Sequence, residues 1–478
     1  MKSTHLAAVA FIALASACSS PGTSASSGTA APADARLTGS TRMERNGWIY
    51  VHLQGSPEQI GYQHGYLLAT EITDLLRVMK PLQLQLTKKD WDFYRKAAEQ
   101  ILWPKIEPEY QQELDGIVAG IAGKNGSAGG PDRWDIVALN AYIELSSYYV
   151  PWLDKQTGQK PTVKTPESCS AFVATGAYTA DHRIVMGHNA WTDYIVGTRW
   201  NIMFDLVPEK GHRILMDGLP GVIVSDDDFD INSAGLLVTE TTISKFEGFD
   251  PAGTPEFMRA RKAIQYGTSI DDFARIMLDG NNGGYANDWL VGDNKTGEVA
   301  RFELGLKEHS LERTKDGYFV GSNFPVGAGL IKNETTFDTS NKASSPNARH
   351  TQWDALMAKN KGLIDAEAGK RLESDAYDII QKKDGPTERS LCGTVETSSR
   401  GISDWDWQPY FPGGTVQAKV TTGAMAEQMK MWATMGHPCG QDFIAADHVA
   451  KHPEFAWAKD LLRDLKSQPW TEFTAGMR

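Results

Sequence analysis

Apolar residues recur along this chain in two rhythms, one helical and one strand-like. A short aromatic and aliphatic run over 47–53 predicts a strand. Ser56 then stands where an N-cap belongs, ahead of Ile60, Leu67, Leu68, Ile72, Leu75, Leu76 and Met79, which are spaced for one helical face. Similar spacing predicts helices over 91–103, 109–121 and 133–149, so the chain up to about residue 150 is mostly α. After Lys164 the texture changes. Runs over 170–175, 184–189, 201–206, 222–225 and 236–243, parted by Gly, Asp and Asn turns, predict strands. Helical patterns return over 255–265 and 271–278, strands over 289–292 and 299–304, and helices over 352–358 and 366–381. A strand over 416–421 and helices over 424–434 and 453–465 close the chain. The whole reads as an α+β protein with an α-rich front and an antiparallel middle.

The first residues bear on compartment. Lys2 precedes an apolar run from Leu6 to Ala17, too short to span a bilayer but suited to a signal-peptide core. It ends Ala15-Ser16-Ala17-Cys18, a pattern similar to a bacterial lipobox, in which the Cys18 thiol is acylated and becomes the new N-terminus. Residues 19–39 are almost all Ser, Gly, Thr, Ala and Pro, the composition of a flexible tether. The expectation is therefore a signal peptide over 1–17 and a lipidated Cys18 with its tether over 18–40. The mature protein is then held on the bacterial cell envelope by its lipid alone; an ordinary signal peptide cut after Ala17 gives a secreted protein instead. No later segment reaches about 18 consecutive apolar residues.

Composition narrows the function classes. The 478 residues carry 48 basic against 60 acidic side chains, a net charge of −12 with no Lys/Arg cluster, which argues against a nucleic-acid partner. Familiar sites are missing from the sequence. There is no G-x-S-x-G elbow and no serine three residues before a lysine. Neither Gly-Lys pair is followed by Ser or Thr, and no His-Glu-x-x-His occurs. Asp228-Phe229-Asp230-Ile231-Asn232 begins like a calcium loop but has Ser233 and Thr239 where Gly and Glu are needed. His437, Cys439, Asp447 and His448 follow no standard zinc spacing. No metal or cofactor is expected.

Four cysteines cannot scaffold a chain of this length. With Cys18 lipidated, an oxidising compartment predicts that Cys392 and Cys439, both in Gly/Pro-containing loops, form a disulfide. Cys169 is left alone, in Glu167-Ser168-Cys169-Ser170-Ala171, where the α-rich front gives way to the β-rich body. A small buried residue opening a strand would account for it. So would an autoprocessing nucleophile: the thiolate attacks the Ser168 carbonyl, an N→S shift gives a thioester, and water releases it. Cys169 then carries both nucleophile and base, since an α-amine titrating near ~7.7–8.0 can accept the thiol proton. Such a site needs an oxyanion donor and a positive charge, and Asn287 and Arg349 are of the right types.

Several stretches, in order, resemble the phospholipase B-like family of N-terminal-nucleophile (Ntn) hydrolases, together with related bacterial proteins akin to penicillin acyltransferases. They are Gly47-Trp48, Gly61-Tyr62-Gln63-His64-Gly65-Tyr66, Cys169-Ser170-Ala171-Phe172-Val173, Gly187-His188-Asn189-Ala190-Trp191, Asp227-Asp228-Phe229 through Glu240-Thr241-Thr242, Asn287-Asp288-Trp289 and 416–421. Ala190 departs from the family's His-Asn-Thr-Trp, and nothing after Phe443 matches. The resemblance implies a four-layer αββα sandwich, with an α-rich N-terminal chain over 41–168 that stays associated after self-cleavage and a catalytic chain over 169–478. It implies Cys169 as nucleophile, His188 and Asn189 as residues orienting its amine, Asn287 as oxyanion donor and Arg349 as the cation beside the nucleophile. The expected reaction is hydrolysis of an amide or ester acyl bond in an acyl amide, peptide or (lyso)phospholipid. An inactive envelope binding lipoprotein keeping the same fold is the alternative.

Overall fold

The computed structural model describes residues 34–126, 129–159, 168–226 and 229–477. Two antiparallel-dominated sheets face each other. The first has nine strands, β1 (Thr41–Arg45), β2 (Trp48–Gly55), β5 (Ile202–Pro208), β6 (Ile214–Gly218), β7 (Phe229–Asn232), β8 (Leu236–Thr242), β9 (Asn287–Asp293), β10 (Glu298–Leu304) and β11 (His309–Thr314), in that spatial order. The second has six, in the order β12 (Gly317–Gly321), β3 (Ser168–Thr175), β4 (Val185–Asp193), β15 (Gly413–Thr422), β16 (Lys430–Met435) and β17 (Thr471–Thr474). A two-stranded ribbon of β13 (Tyr377–Asp378) and β14 (Lys383–Asp384) stands apart.

Strand alternation builds the layers. In β2, Trp48 and Tyr50 join Met203, Leu215, Leu237 and Leu290 against Ala171, Val173, Met186 and Met431 of the second sheet, forming the core between the sheets. Ile49, Val51 and Leu53 point the other way, into the helical layer. That layer holds α1 (Pro57–Leu67), α2 (Ala69–Thr87), α3 (Trp91–Ala97), α4 (Pro108–Asn125), α5 (Arg133–Asn140) and α6 (Val150–Gln156). Short α7 (Tyr194–Gly197) follows β4, and α8 (Glu256–Tyr266) and α9 (Ile270–Leu278) complete the same layer. One more short helix, α10 (Ala328–Asn333), follows β12. On the far face of the second sheet, Phe172, Ala174 and Val185 pack on Trp353 and Met357 of α11 (Ser345–Lys359) and Leu372 of α12 (Ala366–Glu373). The order helix, sheet, sheet, helix is the expected αββα sandwich. The α-rich front is built into the sandwich: β1 and β2 are part of the nine-stranded sheet and α1–α6 are one of its coverings. Residues 36–478 form one compact unit.

Local chemistry explains the entry to α1. Ser56 Oγ accepts from the Gln59 backbone N–H and Gln59 Oε1 accepts from the Ser56 N–H, a complete capping box. Gly61 of α1 is pressed against α4 so closely that a Cβ there would lie 2.0 Å from the Glu113 carbonyl oxygen, and one on Gly120 would lie 2.1 Å from that of Tyr62.

Elsewhere tertiary partners override the pattern. Residues 222–225 are an apolar bend rather than a strand. Asn140 Nδ2 donates to the Gly221 carbonyl, Asn140 Oδ1 accepts from Ile223 N–H and His64 Nε2 accepts from Gly221 N–H, so side chains satisfy the loop backbone while Val222 and Ile223 enter the helical core. The helix expected over 424–434 is one turn, Gly423–Ala426, because Lys430–Met435 pairs with β15 and β17 as a strand. The helix expected over 366–381 stops at Glu373, and Tyr377–Asp378 turns into β13. Over 453–465 only a 3₁₀ stretch forms, since Leu465 exchanges backbone hydrogen bonds with Phe443.

Candidate functional site

Cys169 is the second residue of β3, so the Ser168–Cys169 peptide bond lies inside the strand. Alternation directs Cys169, with Ala171 and Val173, between the sheets, and it is 2% exposed. Its backbone N–H donates to Asn323 Oδ1 at 3.0 Å, and its carbonyl accepts from Arg349 Nη1 at 2.5 Å. The register of β3 with β4 sets Ala171 opposite His188 and Cys169 opposite Ala190. His188 thus shares the intersheet side with the thiol. Glu240, on β8 of the facing sheet, completes the group: the Cys169 sulfur, a His188 ring nitrogen and a Glu240 carboxylate oxygen all lie within 4.8 Å of one another. All three residues are buried. The Tyr285 hydroxyl donates to Glu240 Oε1 at 3.2 Å.

Arg349, at the start of α11, is fully buried and uses all five guanidinium N–H groups. Nε donates to Ser345 Oγ (3.1 Å), Nη1 to the Cys169 carbonyl and to Ser170 Oγ (2.9 Å), and Nη2 to the Ser322 carbonyl (3.0 Å) and Asn323 Oδ1 (2.8 Å). Its Cζ lies 5.0 Å from the Trp191 ring centre and 5.5 Å from that of Trp405. Burial pushes its pKa down to about 9, with Cys169 and Asp404 opposing, so it stays cationic at neutral pH.

Asn323 links the two sheets at this point. Besides accepting from Cys169 and Arg349, its Nδ2 donates to the Thr242 carbonyl at the end of β8 (2.8 Å), and its own carbonyl accepts from Ser244 N–H. Its φ of +63° is one that asparagine tolerates better than most residues. The sequence alone points to Glu240 only as part of a family-like stretch, with no role, and not at all to Asn323. Asn323 sits in an ordinary-looking Ser-Asn-Phe-Pro loop, while a carboxylate inside a strand such as Glu240 is itself a signal, being rarely buried without a role.

The other sequence-derived residues fall as follows. Asn189 alternates to the opposite face, where its Nδ2 donates to the carbonyls of Glu373 (2.7 Å) and Leu391 (3.3 Å); the strand pleat turns its side chain away from the Cys169 nitrogen. Asn287 is fully buried at the first position of β9, opposite Thr242. Ser168 is the first residue of β3. Cys392 and Cys439 are joined in a disulfide, leaving Cys169 the free cysteine among the described residues. That bond takes the Cys439 sulfur from any zinc set, and His437 Nε2 instead meets the Tyr194 hydroxyl at 3.0 Å. The signal peptide, Cys18 and the Asp227-Asp228 pair lie outside the described residues.

Behind the thiol the intersheet space is highly charged. Lys419 of β15, opposite His188, reaches Asp217 of β6 at 3.1 Å, both fully buried. Burial and the Lys419 charge hold the His188 pKa well below the ordinary histidine value, so its imidazole is neutral at neutral pH. Burial raises Asp230 to about 7, helped by Asp217. Among the described residues no helix is long and apolar enough to cross a membrane.

Comparison with known proteins gives consistent kinship. The family model for phospholipase B matches residues 59–309. An uncharacterised protein of Archaeoglobus fulgidus is 26% identical over 273 residues, spanning 52% of this chain and 42% of that protein. Phospholipase B-like protein C of Dictyostelium discoideum is 25% identical over 490 residues, 87% of this chain and 81% of its own. Phospholipase B of Crotalus adamanteus is 22% identical, over 79% of this chain and 75% of its own. Among solved structures, a mutant conjugated bile acid hydrolase from Clostridium perfringens aligns with TM-score 0.33 and 12% identity, over 56% of this chain and 89% of that one. With more than half of its length matched by the family model, the chain belongs to the phospholipase B family of hydrolases.

Proposed function

We propose that this protein is a self-cleaving cysteine hydrolase of acyl amide or ester bonds, with Cys169 as nucleophile before and after the cut. One observation carries the reading. Cys169 is held at both backbone ends, by Asn323 at its nitrogen and Arg349 at its carbonyl, while its sulfur lies within 4.8 Å of a His188 ring nitrogen and a Glu240 carboxylate oxygen. A structural cysteine opening a strand needs backbone partners too, but it needs no histidine and carboxylate beside its sulfur. Cleavage before Cys169 frees an α-amine where the peptide nitrogen now lies. Asn323 Oδ1 is positioned to hold that amine as it holds the N–H, and the amine then serves as base for the thiol. In this reading amine orientation passes from Asn189, whose side chain is engaged elsewhere, to Asn323. Arg349 fixes the Cys169 carbonyl, and Asn287 is the oxyanion donor.

The substrate is an acyl compound of which a phospholipid is one option among acyl amides and peptides; a net charge of −12 does not steer the protein toward anionic membranes. Envelope anchoring through a lipid on Cys18, and retention of the N-terminal chain after the cut, belong to the same proposal. Intact mass spectrometry of the purified protein tests these together. The expected species are a lipidated 18–168 chain and a 169–478 chain, with Cys169→Ala uncut. A wild-type protein that stays one chain and does not label at Cys169 with an acyl-mimicking electrophile overturns the reading in favour of a binding protein.

A further inference from the structure

The uncut chain poses a chemical problem that the mature enzyme does not have. Before cleavage the Cys169 nitrogen is a peptide nitrogen with no basic lone pair, and its N–H is committed to Asn323 Oδ1. The base that serves the mature enzyme does not yet exist. The thiol proton must go elsewhere before sulfur can attack the Ser168 carbonyl.

Resting on the self-cleavage reading above, we infer that His188 is the proton acceptor for that first cut and that Glu240 is its positioning residue. The geometry favours His188 over Arg349, Lys419 and Asn189. It lies within 4.8 Å of the sulfur, a span closed by a side-chain rotation or one water. Arg349 and Lys419 are cations whose donors are already aimed at acceptors, and Asn189 faces the other way. Glu240 lies within the same distance of His188 and the sulfur, and the Tyr285 hydroxyl fixes its carboxylate. The charged and titratable groups around His188 are Cys169 on β3, Glu240 on β8 and Lys419 on β15. Asp217 on β6 pairs with Lys419, and Glu373 at the end of α12 packs behind Gly187.

The step balances without an added reagent other than water. The Sγ–H proton passes to His188 as sulfur bonds to the Ser168 carbonyl carbon. The C–N bond then breaks, and the departing Cys169 nitrogen takes the proton back from His188. Water next breaks the Ser168 thioester, giving a Ser168 carboxylate and a free thiol, and the remaining proton passes to the α-amine of Cys169 or to solvent. His188 ends as it began, and the amine is in place for turnover. Burial and Lys419 keep His188 in its neutral, accepting form well into the acid range.

The experiment follows cleavage of the full precursor, made by cell-free translation and chased at pH 5 to 9, by band shift on a denaturing gel. The wild type is expected to cut at a rate nearly flat across neutral pH, the mark of an internal base. His188→Gln is expected to cut about 10²-fold more slowly, with a rate rising about tenfold per pH unit as hydroxide takes over the proton. Glu240→Gln is expected to slow cutting while leaving the profile flat, and Glu240→Asp to recover part of the rate. His188→Gln cutting at the wild-type rate and profile overturns the inference. If it does not fold by near-UV circular dichroism, Glu240→Gln and Glu240→Asp both cutting like wild type overturn it instead. Cys169→Ala distinguishes the two levels: if that variant also yields two chains, the self-cleavage reading itself falls.

Discussion

Replacing Arg349 by lysine isolates the contribution of its planar fork at constant charge. Arginine supplies five N–H donors here and each has its own acceptor, four of them on or beside the Cys169 and Asn323 backbone segments. Lysine has three donors on a single nitrogen, so at least two acceptors lose their partner. At ~1 kcal/mol for each lost bond, and a further ~1 kcal/mol for a buried acceptor left bare, the loss is about 3 kcal/mol. The guanidinium contacts with the Trp191 and Trp405 rings weaken as well, adding ~0.5–1 kcal/mol. Urea unfolding should be measured in the Cys169→Ala background, where the chain stays whole and one transition can be compared with another. The expected outcome is a midpoint shift equivalent to about 3–4 kcal/mol at unchanged slope. A loss below ~1 kcal/mol would show that the fork is not what ties β3 to the Ser322-Asn323 loop. Combining Arg349→Lys with Asn323→Ala extends the argument. The two share the 2.8 Å bond, so their combined loss should fall short of the sum by ~0.5 kcal/mol or more.

Asn287→Ala should lower kcat by ~10²–10³ on a good acyl substrate while cleavage before Cys169 continues; wild-type kcat would assign the oxyanion hole to another donor. Replacing Cys392 and Cys439 by serine opens a covalent loop spanning 47 positions, with a loss of ~4 kcal/mol in the chain-entropy model; two alkylatable thiols in the native protein would refute the pairing. Asp230→Asn should change the pH dependence of stability. With its folded pKa raised to about 7, Asp230 keeps a proton that the unfolded chain releases near ~3.9, so its contribution is full below that value and lost as pH climbs to about 7. Melting curves across that window should therefore show wild type losing ground to the variant, by at most ~4 kcal/mol, and parallel curves would refute a buried, protonated Asp230.

Much of the fold was legible because its strands are buried on both faces. The runs at 47–53, 170–175 and 236–243 are apolar without strict alternation, and each is a strand between helices and a second sheet. Edge strands were harder. Thr41–Arg45 and His309–Thr314 carry charged and polar residues with little burial, so they look like loops until a neighbour supplies the ladder. Residues 222–225 misled in the opposite sense, apolar but with backbone partners on Asn140 and His64 that no local window contains. The site divides in the same manner. Cys169 and His188 are chemically conspicuous and lie on adjacent strands, whereas Asn323 acts through a loop 154 positions away, brought in by the pairing of β12 with β3.

That topology also bears on what a cut before Cys169 does to the protein. The N-terminal chain does not rest on the sandwich through a surface patch. Its β2 pairs in parallel with β5 from Ile49↔Ile202 to Gly55↔Pro208, and its helices bury Ile60, Ile72, Leu75 and Leu139 in one core with Phe204 and Met216. Breaking one peptide bond removes none of those contacts, so dissociation would expose an entire sheet face to water. Under the proposed self-cleavage, the cut would instead release a local constraint, converting the Cys169 nitrogen from a strand amide into a base between Asn323 and the thiol. The extensive interface would therefore let a chain cut inside a strand keep its site assembled. The buried Lys419–Asp217 pair between the sheets is protected by the same enclosure, since its pairing depends on water staying out.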